Sequence, residues 1–306
     1  MLATNENSVT IFQLDDTAVR GRSVCLNTAL NQALTDQSSK QARYPETVSR
    51  LLGEAMLIGA IVARALKFKG RLIVQCHGTN EGAVSLLVAD CTTDGHIRGY
   101  ARWDEARLKE IELDSRHPGA RTLLGPGTFS MTIDQGPEMD QYQGLAAIAG
   151  QALSECAEHY FLQSEQIPTR IKLACGQIQI PGQAPQWRGG AMMIQRVAED
   201  ISRGDTDETW RTASALFDTL TDAELLEPAL STDALLYRLF HETGVRVIDR
   251  QSVEARCACS EERLRATLSA FTPEALKDIA QEGNITANCE FCANDYSFKL
   301  SEFVDK

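Results

Sequence analysis

The chain has 306 residues, 43% of them hydrophobic, enough for one sizeable core and a smaller second unit. Its formal net charge of −12 is spread without a basic tract, which repels a phosphate backbone and makes nucleic acid a poor partner. The longest strongly apolar run, Ala55 to Ala63, is nine residues bounded by Glu54 and Arg64, too short to cross a bilayer.

Met1 to Asp16 reads as a polar leader with no basic region followed by an apolar run, so no secretion signal is expected. Nine cysteines in that setting point to a reducing, cytoplasmic compartment, where thiols serve metals or redox sensing and the Asn284-Ile285-Thr286 sequon carries no meaning. Arg20 to Leu26 predicts a short strand leading into an Asn/Gln-rich helix. Pro45 then opens a helix whose apolar positions Val48, Leu51, Leu52, Ala55, Met56, Ile58 and Val62 bury one broad face. Three strand-like runs, Arg71 to Cys76, Ala83 to Ala89 and His96 to Trp103, are joined by turn-forming segments and predict an antiparallel meander. Another alternating strand, Thr128 to Asp134, follows Gly125-Pro126-Gly127. A second run enters at Tyr142, a helix covers Gln151 to Ser164, and strands at Arg170 to Ala174 and Gly189 to Gln195 close the unit. Residues 1–197 thus read as an α+β domain on a mixed, largely antiparallel sheet with packed helices.

Residues 198–249 read as a helical linker. A first helix starts near Asp205-Thr206-Asp207-Glu208 and carries Trp210, Ala213, Leu216, Phe217 and Leu220 as its stripe; a second starts at Ser231 with Leu235, Leu236, Leu239 and Phe240 buried. These helices have no sheet of their own and must pack on a neighbour. If the stretch is only conditionally folded, its release uncovers Trp210, Leu216, Phe217, Leu235, Leu236, Leu239 and Phe240 as a surface for other chains.

Residues 250–306 form the final unit. Cys257-Ala258-Cys259 and Cys289-Glu290-Phe291-Cys292 are two closely spaced thiol pairs, and together they make a four-sulfur site suited to tetrahedral zinc. Structural disulfides and unrelated buried thiols are the alternatives. Thiols held deprotonated by a metal also oxidise, and oxidation removes the ligands, so the module has the parts of a switch. Between the pairs, Ser260 caps a short helix from Glu261 to Leu268, Thr272-Pro273-Glu274 opens another that stops at Gly283, and Asn284 to Cys289 with Tyr296 to Leu300 form a hairpin around the second pair. So few large apolar side chains leave the module dependent on its metal.

The thiol pairs, with Ser260, Glu262, Arg263 and Leu268 after the first and Tyr296 and Phe298 after the second, resemble those of the bacterial heat-shock protein 33, or 33 kDa chaperonin, family. The resemblance extends through Gly99-Tyr100-Ala101, Tyr142-Gln143-Gly144, Tyr160-Phe161, Ser164-Glu165-Gln166-Ile167-Pro168-Thr169, and Gly189-Gly190 with Gln195, and so covers most of the chain. It implies a redox-regulated, ATP-independent holdase, inactive while reduced and holding one zinc on Cys257, Cys259, Cys289 and Cys292. Oxidation is then expected to form Cys257–Cys259 and Cys289–Cys292 disulfides, release zinc and unfold the module and adjoining helices. Unfolding client proteins are held, the active form is a homodimer, and clients pass to ATP-dependent chaperones.

Cys25, Cys76, Cys91, Cys156 and Cys175 depart from the family's usual cysteine content. Cys76 and Cys91, near His77 and His96, lack the paired spacing of metal ligands. Two rival readings are a thiol enzyme and a zinc-ribbon regulator of nucleic acid. No phosphate loop, zinc-protease helix or nucleophile elbow supports the first. The acidic balance of residues 250–306 opposes the second.

Overall fold

The computed structural model describes residues 7–35, 42–65, 69–136, 138–179, 182–197 and 206–304. In chain order the elements begin with β1 (Ser8–Leu14), β2 (Val19–Leu26), α1 (Thr28–Leu34), α2 (Glu46–Ala63), β3 (Arg71–His77), β4 (Val84–Thr92), β5 (His96–Trp103), α3 (Glu105–Asp114) and α4 (Ala120–Leu124). Next come β6 (Thr128–Asp134), β7 (Tyr142–Ala147), α5 (Leu153–Ser164), β8 (Thr169–Ile178), β9 (Gln186–Arg196), α6 (Thr206–Asp218), α7 (Asp222–Leu226) and α8 (Thr232–Phe240). The last are β10 (Val245–Ser252), β11 (Glu254–Ala255), α9 (Glu261–Leu268), α10 (Pro273–Ile279), β12 (Asn284–Asn288), β13 (Asp295–Lys299) and α11 (Ser301–Val304).

Two sheets carry the α+β architecture. One has the order β10-β1-β2-β9-β8, antiparallel throughout; the other runs β11-β5-β4-β3-β6-β7, antiparallel except where β11 joins β5 in parallel. The predicted meander is present as β3, β4 and β5, with β6 paired to the other edge of β3. Ser8–Leu14 of the supposed polar leader form β1. Val9, Phe12 and Leu14 are fully buried, because this strand is covered on both faces and shows no polar side to read.

Helix α2 lies between the sheets, touching β3, β4 and β5 on one side and β2, β8 and β9 on the other. All its residues except Glu46, Arg50 and Glu54 are buried, rather than the single face its periodicity predicts. Glycines let the sheets approach. A Cβ on Gly53 would stand 2.3 Å from the Cys175 sulfur, and one on Gly59 would stand 2.4 Å from that of Cys91. Those two cysteines therefore fill glycine notches; burial raises their thiols well above the usual range, and it also raises those of Cys76 and Cys156. Inert thiols packed in a core are the result. Cys25 is half-buried on β2.

Glu54 is the exception on α2. Burial lifts its carboxyl to about 7 although Arg50 lies 3.2 Å away. The folded-state value exceeds the unfolded one, so folded protein binds the extra proton and stability falls as pH rises from about 4.5 to 7. Glu54→Gln is expected to raise the melting temperature at pH 8, by a stabilisation of up to about 3 kcal/mol, and to change it much less at pH 5. A melting temperature that falls at pH 8 would show that the Arg50 pair, not burial, governs this site.

On the outer face of the five-stranded sheet, α6, α7 and α8 cover Phe12, Leu14, Val19, Ala174, Met192 and Ile194. The neighbour demanded by their apolar stripes is this sheet face. Rings of Phe12 and Phe240 meet at 6.0 Å between centroids. Asp205, where the sequence starts the first of these helices, lies outside the described residues, as do 198–204.

The C-terminal unit has a core of four buried side chains, Leu268, Leu276, Ile285 and Phe298. Ser260 caps α9 and Thr272 caps α10, as their sequences predict. Helix α10 ends at Ile279 rather than at Gly283, because Gln281 and Asn284 exchange backbone hydrogen bonds of 2.8 and 2.9 Å across a turn. Glu282 and Gly283 occupy its centre with φ of 49° and 78°. Strand β10 spans position 250, where the sequence reading divides linker from module, and it pairs along the whole of β1.

Candidate metal centre

Cys257 and Cys259 sit on the turn from β11 into α9, held near the six-stranded sheet by the pairing of β11 with β5. Cys289 and Cys292 close the β12–β13 hairpin. There the Cys289 N–H donates to Asn294 O at 2.9 Å, the Ala293 N–H donates to Cys289 O at 2.7 Å, and Ala293 takes a left-handed φ of 59°. The turn folds the second pair back toward the first.

All four Sγ atoms lie within 4.8 Å of one another, with 3.7 Å between Cys257 and Cys289 and 3.3 Å between Cys259 and Cys292. A tetrahedral thiolate site with bonds of about 2.3 Å has sulfur–sulfur edges of about 3.8 Å. The donor set therefore has the size and chemistry for one zinc ion, and all four cysteines are free thiols, each half-buried. Burial pushes the Cys257 thiol up, but hydrogen bonds from the Cys259 backbone, the Cys259 side chain and Arg98 outweigh it and bring it down to about 7. Burial raises the Cys289 and Cys292 thiols, partly offset by backbone N–H groups of the hairpin turn. The Tyr296 hydroxyl donates to Cys259 Sγ at 3.2 Å. A cleft of about 1190 Å³ opens beside Cys257 and Cys259, lined by Lys69, Arg71, Arg98, Arg256 and Arg263 with Asp90 and Asp134 among others.

The hairpin docks on β5. Phe291 meets Tyr100 edge-on at 4.8 Å and lies under the Arg98 guanidinium at 4.0 Å. Arg102 pairs with Glu290 at 2.8 Å, and Arg43 donates to the Glu290 and Phe291 carbonyls. None of these core residues was read from sequence as part of the site. Their signal was the period-2 row Arg98, Tyr100, Arg102 on one face of a strand, which names no partner by itself.

The seven residues of the candidate client surface lie against the five-stranded sheet. Phe217, Leu235, Leu236, Leu239 and Phe240 are buried there, and Trp210 and Leu216 are partly buried at the margin.

A family model described as Hsp33 protein matches residues 7–299, a span that contains all four clustered cysteines. The chain belongs to the Hsp33 family. The 33 kDa chaperonin of Caulobacter vibrioides is 44% identical over 292 residues, covering 95% of this chain and 94% of its own. That of Pseudomonas aeruginosa is 33% identical over 295 residues, covering 95% and 91%. The crystal structure of the 33 kDa chaperonin of Thermotoga maritima matches with a TM-score of 0.76 across 98% of both chains, and at 20% identity this likeness speaks for the fold. Relatives of this Hsp33 chain thus carry the name of chaperonins, not of enzymes. Four thiols close enough to hold a metal are consistent with zinc in the Hsp33 family. Among the described residues no helix is long and apolar enough to cross a membrane.

Proposed function

We propose that this chain is a cytoplasmic, redox-regulated, ATP-independent holdase whose switch is the cluster of Cys257, Cys259, Cys289 and Cys292. The observation that carries the reading is the convergence of four thiols in a module whose own core cluster has, among the described residues, four fully buried apolar side chains. When bound, zinc would be held by the four sulfurs and would supply the folding free energy that so small a core lacks. Oxidation by peroxide joins Cys257 to Cys259 and Cys289 to Cys292, following the family resemblance. Each pair of thiolates gives up two electrons to one hydrogen peroxide as its S–S bond forms and the O–O bond breaks, leaving two hydroxide ions, so two peroxides consume all four thiolates. No donor set remains and the module loses its support.

Strand β10 links the module directly to α8, so disorder in one reaches the other. Release of α6 to α8 uncovers Trp210, Leu216, Phe217, Leu235, Leu236, Leu239 and Phe240 together with the sheet face beneath them. That apolar surface would hold unfolding clients, favour a homodimer, and surrender clients to ATP-dependent chaperones.

The test follows metal release and suppression of client aggregation in one sample, before and after peroxide at elevated temperature. Zinc release and holding activity are expected to appear together and to reverse with a thiol reductant, with peptide mapping giving the Cys257–Cys259 and Cys289–Cys292 pairs. Zinc release without holding activity would reduce the metal to a structural role.

A further inference from the structure

Arg98 stands where the six-stranded sheet meets the cysteine cluster. Its Nε and Nη2 both donate to Asp90 Oδ2, at 2.9 and 2.6 Å, and Asp90 is its cross-strand partner on β4, only 5% exposed. This fork fixes the plane of the guanidinium. The remaining Nη1 reaches Cys257 Sγ at 3.7 Å, while the flat face covers the Phe291 ring. One core side chain thus touches a buried carboxylate, a sulfur of the first thiol pair and the aromatic residue inside the second.

We infer that Arg98 is a positioning residue of the metal centre: its Nη1 holds Cys257 Sγ facing the cluster and its flat face clamps the Phe291 turn to β5. Losing the donor set and undocking the module then become one event rather than two. The inference rests on the proposed thiolate metal centre. Four thiolates around a divalent cation carry a net charge of −2, and a permanent cation with an N–H aimed at one sulfur offsets part of it. Outer-shell partners of metal ligands commonly change metal affinity by about 10- to 100-fold. Asp90 acts at one remove, by orienting the fork.

The experiment uses the full reduced chain. Its zinc content is measured first: a chain that binds no zinc overturns the metal-centre reading and this inference with it. With zinc present, Arg98→Gln is expected to release metal to a chromogenic chelator about 10-fold faster or more. In cobalt-loaded protein its sulfur-to-metal charge-transfer band should move to longer wavelength, because a sulfur that loses a hydrogen bond gives up electrons more readily. Arg98→Lys, which keeps the charge without the fork or the stacking face, should fall between. Phe291→Leu, which weakens the clamp alone, should speed release and undocking without moving the band. Arg71, 3.4 Å from Asp90 Oδ2, leaves that carboxylate paired in every variant, so the core is expected to fold. Release rates and cobalt spectra of Arg98→Gln that match the unaltered chain would overturn the inference.

Discussion

Cys289→Ser is expected to unfold the C-terminal module under fully reducing conditions while leaving the two-sheet core folded. Three thiolates and a hydroxyl bind zinc far more weakly than four thiolates, and a structural zinc contributes on the order of 10 kcal/mol to its module. Among the described residues Leu268, Leu276, Ile285 and Phe298 are the buried centre of that module, and each side chain contributes only about 1.5–3 kcal/mol. Ordering the module's backbone costs about 1–2 kcal/mol per residue, so this small core depends on the metal. Metal analysis should show substoichiometric zinc, and brief proteolysis should cut within 257–304 while the core resists. Zinc content and protease resistance equal to those of the unaltered chain would count against the site.

Phe240→Ala is expected to open the linker helices with zinc still bound. Phe240 is fully buried against Phe12 at the centre of the cluster beneath α6 to α8, and truncating such a ring typically costs about 3–5 kcal/mol. The ion pairs around that cluster, among them Arg238 with Glu224, Lys172 with Asp222, Arg170 with Asp218, Arg196 with Asp207 and Arg250 with Asp233, are largely exposed and contribute little. So the loss falls on packing alone. Hydrogen exchange should accelerate across α6 and α8, and an apolar dye should bind the reduced protein. Under the proposed function this variant also holds clients without oxidation. Unchanged exchange in both helices would mean that other contacts hold the linker closed.

What could be read in the sequence and what could not divide along a physical line. The thiol pairs, the caps at Ser260 and Thr272 and the hairpin at Cys289 to Cys292 were legible because each depends on residues a few positions apart. Helix α2 was legible as a helix but not as a buried one, since periodicity reports one apolar face and is silent about a second sheet. Strand β1 was missed for the same reason, being covered on both sides. Helix α3, buried only at Leu108 and Ile111, gave too narrow a stripe to notice. Arg98 was invisible as a member of the site because Cys257 lies 159 positions away, and nothing local to β5 points to it.

Strand β10 has a mechanical consequence. Nearly all its side chains are exposed, and it is held to β1 by an antiparallel ladder from Ser252–Ser8 to Val245–Leu14. A pull on Ser252 at right angles to the strand loads that ladder from one end and separates its pairs in succession, whereas a pull along the strand has to shear every pair at once.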